Sequence, residues 1–109
     1  MKLSGWGNYP IKNTKVVKPK TVDQLRDALK SNQTIARGNG RSYGDSSVGF
    51  YKTVDMKNFN KIISFDYKKG LLVAESGVLL KDIINEILPK GWFPYVTPGT
   101  KFVTLGGMI

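Results

Sequence analysis

A glycine-rich segment, ARGNGRSYGDSS, occupies residues 36–47, directly after the strand-like run TIA. It holds Gly38, Gly40 and Gly44 and almost no side chain that can fill a core. Glycine allows sharp turns and a close approach of the backbone, so that exposed amides can donate hydrogen bonds to an anion. The segment therefore predicts a loop that binds a phosphate or diphosphate, with a flexible surface loop as the open alternative.

Two common phosphate-binding loops do not match this segment. The dinucleotide-binding motif G-x-G-x-x-G opens a helix, whereas the spacing here is G-x-G-x-x-x-G and the residues after Gly44 have strand character. The P-loop ends in Gly-Lys-Ser/Thr, and no lysine follows Gly44. The loop is therefore expected to hold an anion with backbone donors and without a helix dipole. The hydroxyl-bearing and cationic side chains that can help are Arg37, Arg41, Ser42, Ser46 and Ser47.

A second glycine-rich segment, TPGTKFVTLGGMI, covers residues 97–109. Its glycines and threonines are Gly99, Thr100, Thr104, Gly106 and Gly107. Two donor-rich segments in one small domain indicate a ligand with an extended phosphate region. The alternative is that Pro98-Gly99 forms only a turn.

Hydrophobic periodicity and capping residues predict an α+β fold with the order β-α-β-β and then β-β-α. The first helix, residues 21–30, begins with a T-x-x-Q capping box, in which Thr21 caps the helix and Gln24 reaches back. The second helix covers residues 79–88, where apolar residues recur at helical spacing. Residues 92–109 are predicted to be irregular.

The strands are predicted from short apolar runs bounded by turn residues. They cover Lys15–Val17, residues 34–37, Tyr51–Met56, Lys61–Phe65 and Leu71–Glu75. The last two strands form a hairpin that turns at Tyr67–Gly70.

The charge of the chain is strongly positive, since 17 lysines and arginines against 8 acidic residues give a net charge of +9. The lysines are dispersed from Lys2 to Lys101, and a dispersed excess is typical of a solvated surface. The charge weakly favours an anionic partner. A small basic module that binds RNA or another polyanion is therefore an alternative function, supported by Tyr43 and the glycine-arginine content of the loop.

Cysteine and histidine are absent from the chain. Disulfides, thiolate chemistry and catalysis by imidazole are thereby excluded within it, and no metal site is predicted. The N-terminal residues MKLSGWGNYP lack the apolar stretch of a secretory signal, and no apolar run approaches the roughly 20 residues that span a bilayer. These observations predict a cytoplasmic protein without a membrane span.

Three motifs in order, ARGNGRSYGDSS, VAESGVLLKDI and TPGTKFVTLGGMI, resemble the vanillyl-alcohol-oxidase flavoproteins, whose FAD-binding domain is of the PCMH type. The N-terminal GWG and the form of the loop are most similar to the decaprenylphosphoryl-ribose oxidase branch, with the sugar-alcohol and aldonolactone oxidases as neighbours. The resemblance implies the N-terminal part of a two-subdomain FAD-binding domain. The first subdomain would cover about residues 1–57, the second would begin in residues 58–109, and the substrate domain would lie outside the chain.

The resemblance also implies which residues bind FAD. The loop would wrap the FAD diphosphate with Ala36, Arg37, Gly38, Asn39, Gly40, Arg41, Ser42, Tyr43, Gly44, Asp45 and Ser46. The second segment would line the cofactor from the other side with Gly99, Thr104, Leu105, Gly106 and Gly107.

The resemblance implies non-covalent binding of FAD, because Arg41 stands where many relatives carry a histidine bonded to the flavin. The implied activity is oxidation of a hydroxyl on a sugar, a polyol or a lipid-linked sugar by hydride transfer to FAD. An aldonolactone or alditol oxidase is the alternative within the family. No residue of the chain is assigned as the catalytic base, and the chain alone is expected to be inactive.

Overall fold

The computed structural model describes residues 1–31 and 33–109 and has an α+β architecture. The strands are β1 (Lys2–Leu3), β2 (Lys12–Asn13), β3 (Lys15–Val17), β4 (Thr34–Arg37), β5 (Lys52–Asp55), β6 (Ile62–Asp66) and β7 (Leu71–Ala74). The helices are α1 (Val22–Leu29), α2 (Leu80–Ile87) and α3 (Leu105–Met108), with a 3-10 turn at Leu88–Lys90. Within the described residues, none of these helices combines the length and apolar character that crossing a bilayer requires.

A parallel three-stranded sheet, in the order β3-β5-β4, forms the first half of the fold. Helix α1 connects β3 to β4, and Thr21 caps it as predicted, while Gln24 reaches back one residue beyond the cap, to Lys20. The Thr21 hydroxyl accepts a hydrogen bond from the Gln24 amide at 3.2 Å, and the Gln24 side chain accepts one from the amide of Lys20 at 2.8 Å. In the central strand β5, Thr53 and Val54 are fully buried, so this strand is the core of the sheet.

The second half consists of the antiparallel hairpin β6-β7 with helix α2 packed against it. The apolar face of α2 contributes Ile83 and Ile87 to a cluster with Val78, and the hairpin supplies Phe65 and other partly buried side chains. The opposite face of the helix carries exposed polar residues. The predicted hairpin and second helix are therefore present. Each of their ends lies within one residue of the predicted position.

The turn of the hairpin is covered by Trp92. Its indole nitrogen donates a hydrogen bond of 2.7 Å to the carbonyl of Tyr67. Its ring lies against Gly70, where a β-carbon would come within 2.4 Å of it. Trp92 therefore acts as a packing residue of this hairpin.

The second glycine-rich segment, residues 97–109 at the C-terminal end, is more ordered than predicted. It runs beside the start of α2, where the amide of Leu80 donates to Val103 and that of Leu105 donates to Val78, at 2.9 and 2.7 Å. Thr104 then caps α3. The prediction of an irregular segment was wrong at α3, because a four-residue helix containing two glycines has neither the length nor the propensity that periodicity detects.

Candidate ligand-binding groove

The glycine loop, residues 38–47, leaves the end of β4 at the edge of the parallel sheet. The loop consists mainly of turns and bends, and the chain returns to the sheet only at β5. In residues 1–31 and 33–109, no acceptor takes a hydrogen bond from the backbone amides of residues 39–44. Six consecutive amides that are free of protein acceptors can donate to an anionic ligand, as the sequence predicts for a loop without a helix behind it.

The loop meets the second glycine-rich segment at Gly38. A β-carbon on Gly38 would lie 2.2 Å from the hydroxyl of Thr104 and 2.9 Å from its methyl carbon. Thr104 itself is buried and forms a β-bridge with Leu79. Because only glycine fits at this contact, Gly38 brings two segments that are far apart in sequence to one place.

Polar side chains brace the loop from within. The guanidinium of Arg37 donates to the Ser47 hydroxyl at 3.3 Å, and the Ser42 hydroxyl donates to the same oxygen at 2.9 Å. The guanidinium also lies under Gly40, which has a φ of +67°. A side chain at that position would be strained and would strike Arg37. Arg37 therefore supports the turn of the loop from the inside.

Two further contacts join the tip of the loop to the second segment. The side-chain amide of Asn39 donates to the carbonyl of Phe102 at 2.8 Å. The guanidinium of Arg41 lies 5.9 Å from the centre of the Phe102 ring, within the range of a cation–π contact. These contacts hold the exposed cation of Arg41 at the edge of the space between the two segments.

Three adjoining cavities form one groove between the segments. The middle cavity, about 170 Å³, is smaller than the 300 Å³ or more of a typical ligand pocket and suits only part of a large ligand. It is lined by Ala36, Gly38, Asn39, Gly40, Arg41, Ser42, Ser47, Val103, Thr104 and Gly107.

The neighbouring cavities extend the groove in two directions. The inner one, about 180 Å³, shares Gly38 and Thr104 with the middle cavity and adds Arg37, Met56, Ser76 and Gly106. The outer one, about 380 Å³, shares Arg41 and Val103 and adds Trp6, Tyr43, Pro98, Gly99 and Thr100. The groove therefore suits an extended ligand.

Four of the predicted site residues do not line these cavities. Gly44 forms a turn with a φ of +57°, and the Ser46 hydroxyl donates to the carbonyl of Tyr43 at 2.8 Å. Leu105 packs against the cluster beside α2. Asp45 forms an ion pair with Lys12, and the hydrogen bond and charge of that lysine hold the pKa of Asp45 below its ordinary value of 3.8. The other twelve predicted residues lie in the walls.

The walls also include residues that the sequence did not predict at the site, namely Trp6, Met56, Ser76, Pro98 and Val103. Val103 and Ser76 reach the groove because the C-terminal segment pairs with the chain before α2. Trp6 reaches it because residues 1–13 fold back over the loop. Trp6, Ser76 and Val103 lie in motifs that carry the family resemblance, but their place in the groove depends on contacts between distant parts of the chain, which no motif indicates.

The sequence of residues 14–109 matches the model of a protein family described as FAD binding domain. Because the match covers most of the chain, the chain belongs to this family, and its cofactor is FAD. The predicted family and the predicted cofactor are thereby confirmed.

Individual relatives agree with this assignment. The chain is 43% identical over 76 residues to decaprenylphosphoryl-beta-D-ribose oxidase of Mycolicibacterium smegmatis, a stretch that covers 69% of this chain and 16% of that protein. It is 32% identical over 66 residues to a D-lactate dehydrogenase of Anaerostipes hadrus, covering 61% of this chain and 14% of the relative. A Neurospora crassa protein named as a D-arabinono-1,4-lactone oxidase is 28% identical over 80 residues, covering 69% and 14%. The chain therefore spans about a sixth or less of each relative.

The groove fits the diphosphate region of FAD on structural grounds. Its middle part offers amides without a protein acceptor, the hydroxyls of Ser42, Ser47 and Thr104, and the Arg41 cation, which are the kinds of group that bind a diphosphate.

Proposed function

We propose that this chain holds the diphosphate of FAD in a flavin-dependent oxidoreductase. The single observation that carries the proposal is the contact of Gly38 with Thr104, which joins both glycine-rich segments around one groove. The amides of residues 39–44 would donate to the diphosphate oxygens. The hydroxyls of Ser42 and Thr104 lie in the same wall.

Arg41 supplies an exposed positive charge at the site. Its guanidinium lies where the middle and outer cavities meet, so it would bind the diphosphate or an adjacent polar edge of the cofactor. Binding would be non-covalent within this chain, because the chain contains no histidine or cysteine.

The activity that the relatives support best is oxidation of a CH–OH group. Their names describe enzymes for a lipid-linked sugar, D-lactate and an aldonolactone. FAD, when bound, would accept the hydride from the substrate carbon. The residues of this chain would bind and orient the cofactor, in a first subdomain of about residues 1–57 and the start of a second in residues 58–109. A sugar, polyol or lipid-linked sugar is the proposed substrate class, with an aldonolactone or alditol oxidase as the alternative.

Titration of the full chain with FAD, followed by the quenching of flavin fluorescence, tests the proposal. Gly38→Ala should weaken FAD binding strongly, because the new methyl group strikes Thr104 at the join of the two segments. Gly7→Ala is the matched control, since no atom lies within 4 Å of a β-carbon at that position. Equal affinities of the two variants would contradict the proposed position of the diphosphate.

A second pair of variants distinguishes FAD binding in the groove from the RNA-binding alternative. Arg41→Ala should weaken FAD binding and reduce its dependence on salt, because an exposed cation acts on a diphosphate through a screened charge. Lys68→Ala, in the turn of the β6-β7 hairpin, removes the same charge outside the groove walls and should change neither quantity. Salt-dependent binding of RNA without any uptake of FAD would favour the alternative.

A further inference from the structure

We infer that the N-terminal arm, residues 1–13, positions the glycine loop for the cofactor. The inference rests on the proposed function of that loop. The arm lies outside residues 14–109, which match the family model. The arm folds back on itself, because β1 pairs with β2 through Lys2 with Asn13 and Leu3 with Lys12. The residues between these two strands contact the glycine loop. Three separate contacts join the arm and the loop.

The first contact is a close approach of two backbones. Gly5 is buried, and a β-carbon on it would lie 2.3 Å from the carbonyl oxygen of Gly44 and 2.6 Å from that of Ser42. The next residue, Trp6, donates its amide to the carbonyl of Ser42 at 2.8 Å. The arm thus occupies the carbonyl side of the loop, while the loop amides of residues 39–44 stay free for a ligand.

The second contact is aromatic. The rings of Trp6 and Tyr43 have centroids 6.0 Å apart and planes at 87°, an edge-to-face arrangement that aromatic pairs prefer. Both rings also line the outer cavity of the groove. The side chain of Trp6 is 61% exposed, so removing it leaves the core of the domain intact.

The third contact is the ion pair between Lys12 and Asp45. It joins the second strand of the arm to the turn that follows Gly44. Together, the three contacts hold the loop at Ser42, Tyr43, Gly44 and Asp45. Braces from Arg37 and Ser47 hold its inner side.

A loop with three glycines needs such support, because glycine loses more conformational freedom on ordering than any other residue. The apparent affinity for a ligand falls in proportion to the fraction of molecules whose loop is in the binding conformation. The arm raises that fraction by fixing the carbonyl side of the loop. It therefore strengthens FAD binding without any need to touch the diphosphate.

The pair Gly5→Ala and Gly7→Ala tests this inference in the full chain. Gly5→Ala separates the arm from the loop and should weaken FAD binding by about tenfold. Gly7→Ala, two residues along the same arm, should stay within about twofold of the unaltered chain. Thermal unfolding of the FAD-free proteins is measured in parallel, and affinities are compared well below the unfolding temperatures. Equal FAD affinities of the two variants would overturn the inference.

A second pair of variants keeps the inference testable if Gly5→Ala does not fold. Trp6→Ala removes the ring contact with Tyr43 and should weaken FAD binding, whereas Trp6→Phe keeps an aromatic edge and should largely restore it. Equal weakening by both variants would count against a positioning role. Failure of the unaltered chain to take up FAD would overturn the proposed function and this inference together, while uptake with equal affinities in every variant would overturn only the inference.

Discussion

The hydroxyl oxygens of Thr14 and Thr53 lie 3.0 Å apart in the interior, where the N-terminal arm enters the parallel sheet. The Thr53 hydroxyl also accepts a hydrogen bond of 2.8 Å from the amide of Gly49, two residues beyond the end of the glycine loop. The buried hydroxyl of Thr53 therefore connects the residue that follows the arm, the central strand and the chain returning from the loop to the sheet.

Thr53→Val should lower the free energy of unfolding by roughly 2–4 kcal/mol, because it leaves both the Thr14 hydroxyl and the Gly49 amide buried without a partner. Thr14→Val leaves only one bond of Thr53 unmade and should cost less. Thr53→Ser keeps the hydroxyl and should cost least. Urea unfolding of the three variants measures the order. A loss from Thr53→Val no larger than that from Thr53→Ser would contradict it.

Two glycines with positive φ allow the cost of backbone strain to be measured separately from the cost of a steric clash. Gly70 and Gly91 have φ values of +69° and +84°. A β-carbon on Gly70 would strike the Trp92 ring at 2.4 Å, whereas nothing lies within 4 Å of one on Gly91. Gly91→Ala should therefore lower stability by about 1–2 kcal/mol from strain alone, and Gly70→Ala should lower it more. Urea unfolding of both variants measures the two losses. Equal losses would contradict the prediction, because the Trp92 ring would then move aside without an energetic cost.

The Lys12–Asp45 ion pair predicts a dependence of stability on pH. Because the folded-state pKa of Asp45 is depressed, the pair stabilises the fold fully above the ordinary value of 3.8. This contribution is lost as the pH falls through the folded pKa. Asp45→Asn should therefore lower the urea midpoint near neutral pH, and its effect should shrink as the pH falls below 3.8. The effect is modest because Asp45 and Lys12 are 47% and 33% exposed.

Asp23→Asn serves as the control for that experiment. Its ion pair with Arg26 lies almost entirely in solvent, at 90% and 74% exposure, so it is screened and should leave the midpoint unchanged at both pH values. A midpoint for Asp45→Asn equal to that of the unaltered chain near neutral pH would contradict the prediction.

Non-covalent binding predicts that acid precipitation of the flavin-loaded protein leaves residues 1–109 free of flavin. The chain contains no histidine or cysteine to form the bond, and an arginine guanidinium stays protonated. Mass spectrometry of peptides from this region measures the result. Any peptide that carries the additional mass of a flavin, above all one containing Arg41, would disprove the prediction.

Local structure was predictable where the signal lies within a few residues. Helix α1 follows from its T-x-x-Q capping box, and the β6-β7 hairpin follows from two apolar runs around a turn that ends in Gly70. The glycine loop was also predictable as a candidate site, since glycine spacing shows where a backbone can approach a ligand.

The assembly of the groove was not predictable from local signals. Thr104 reaches Gly38 because the C-terminal segment pairs with the chain before α2, a contact that propensity does not encode. The arm is similar, since β1 and β2 have two residues each and no measurable alternation. Family resemblance placed both segments around FAD, but it did not indicate Trp6 or the contact of Gly5 with the loop.

The meeting of Gly38 and Thr104 has a thermodynamic consequence for the whole domain. A ligand in the groove beside this contact would touch both glycine-rich segments, which line it together only in the folded domain, so its binding would stabilise the fold. Because FAD would bind only the native state, each tenfold excess of free FAD over its dissociation constant would add about 1.4 kcal/mol to the free energy of unfolding. The folded fraction of the domain would therefore rise with the concentration of free FAD.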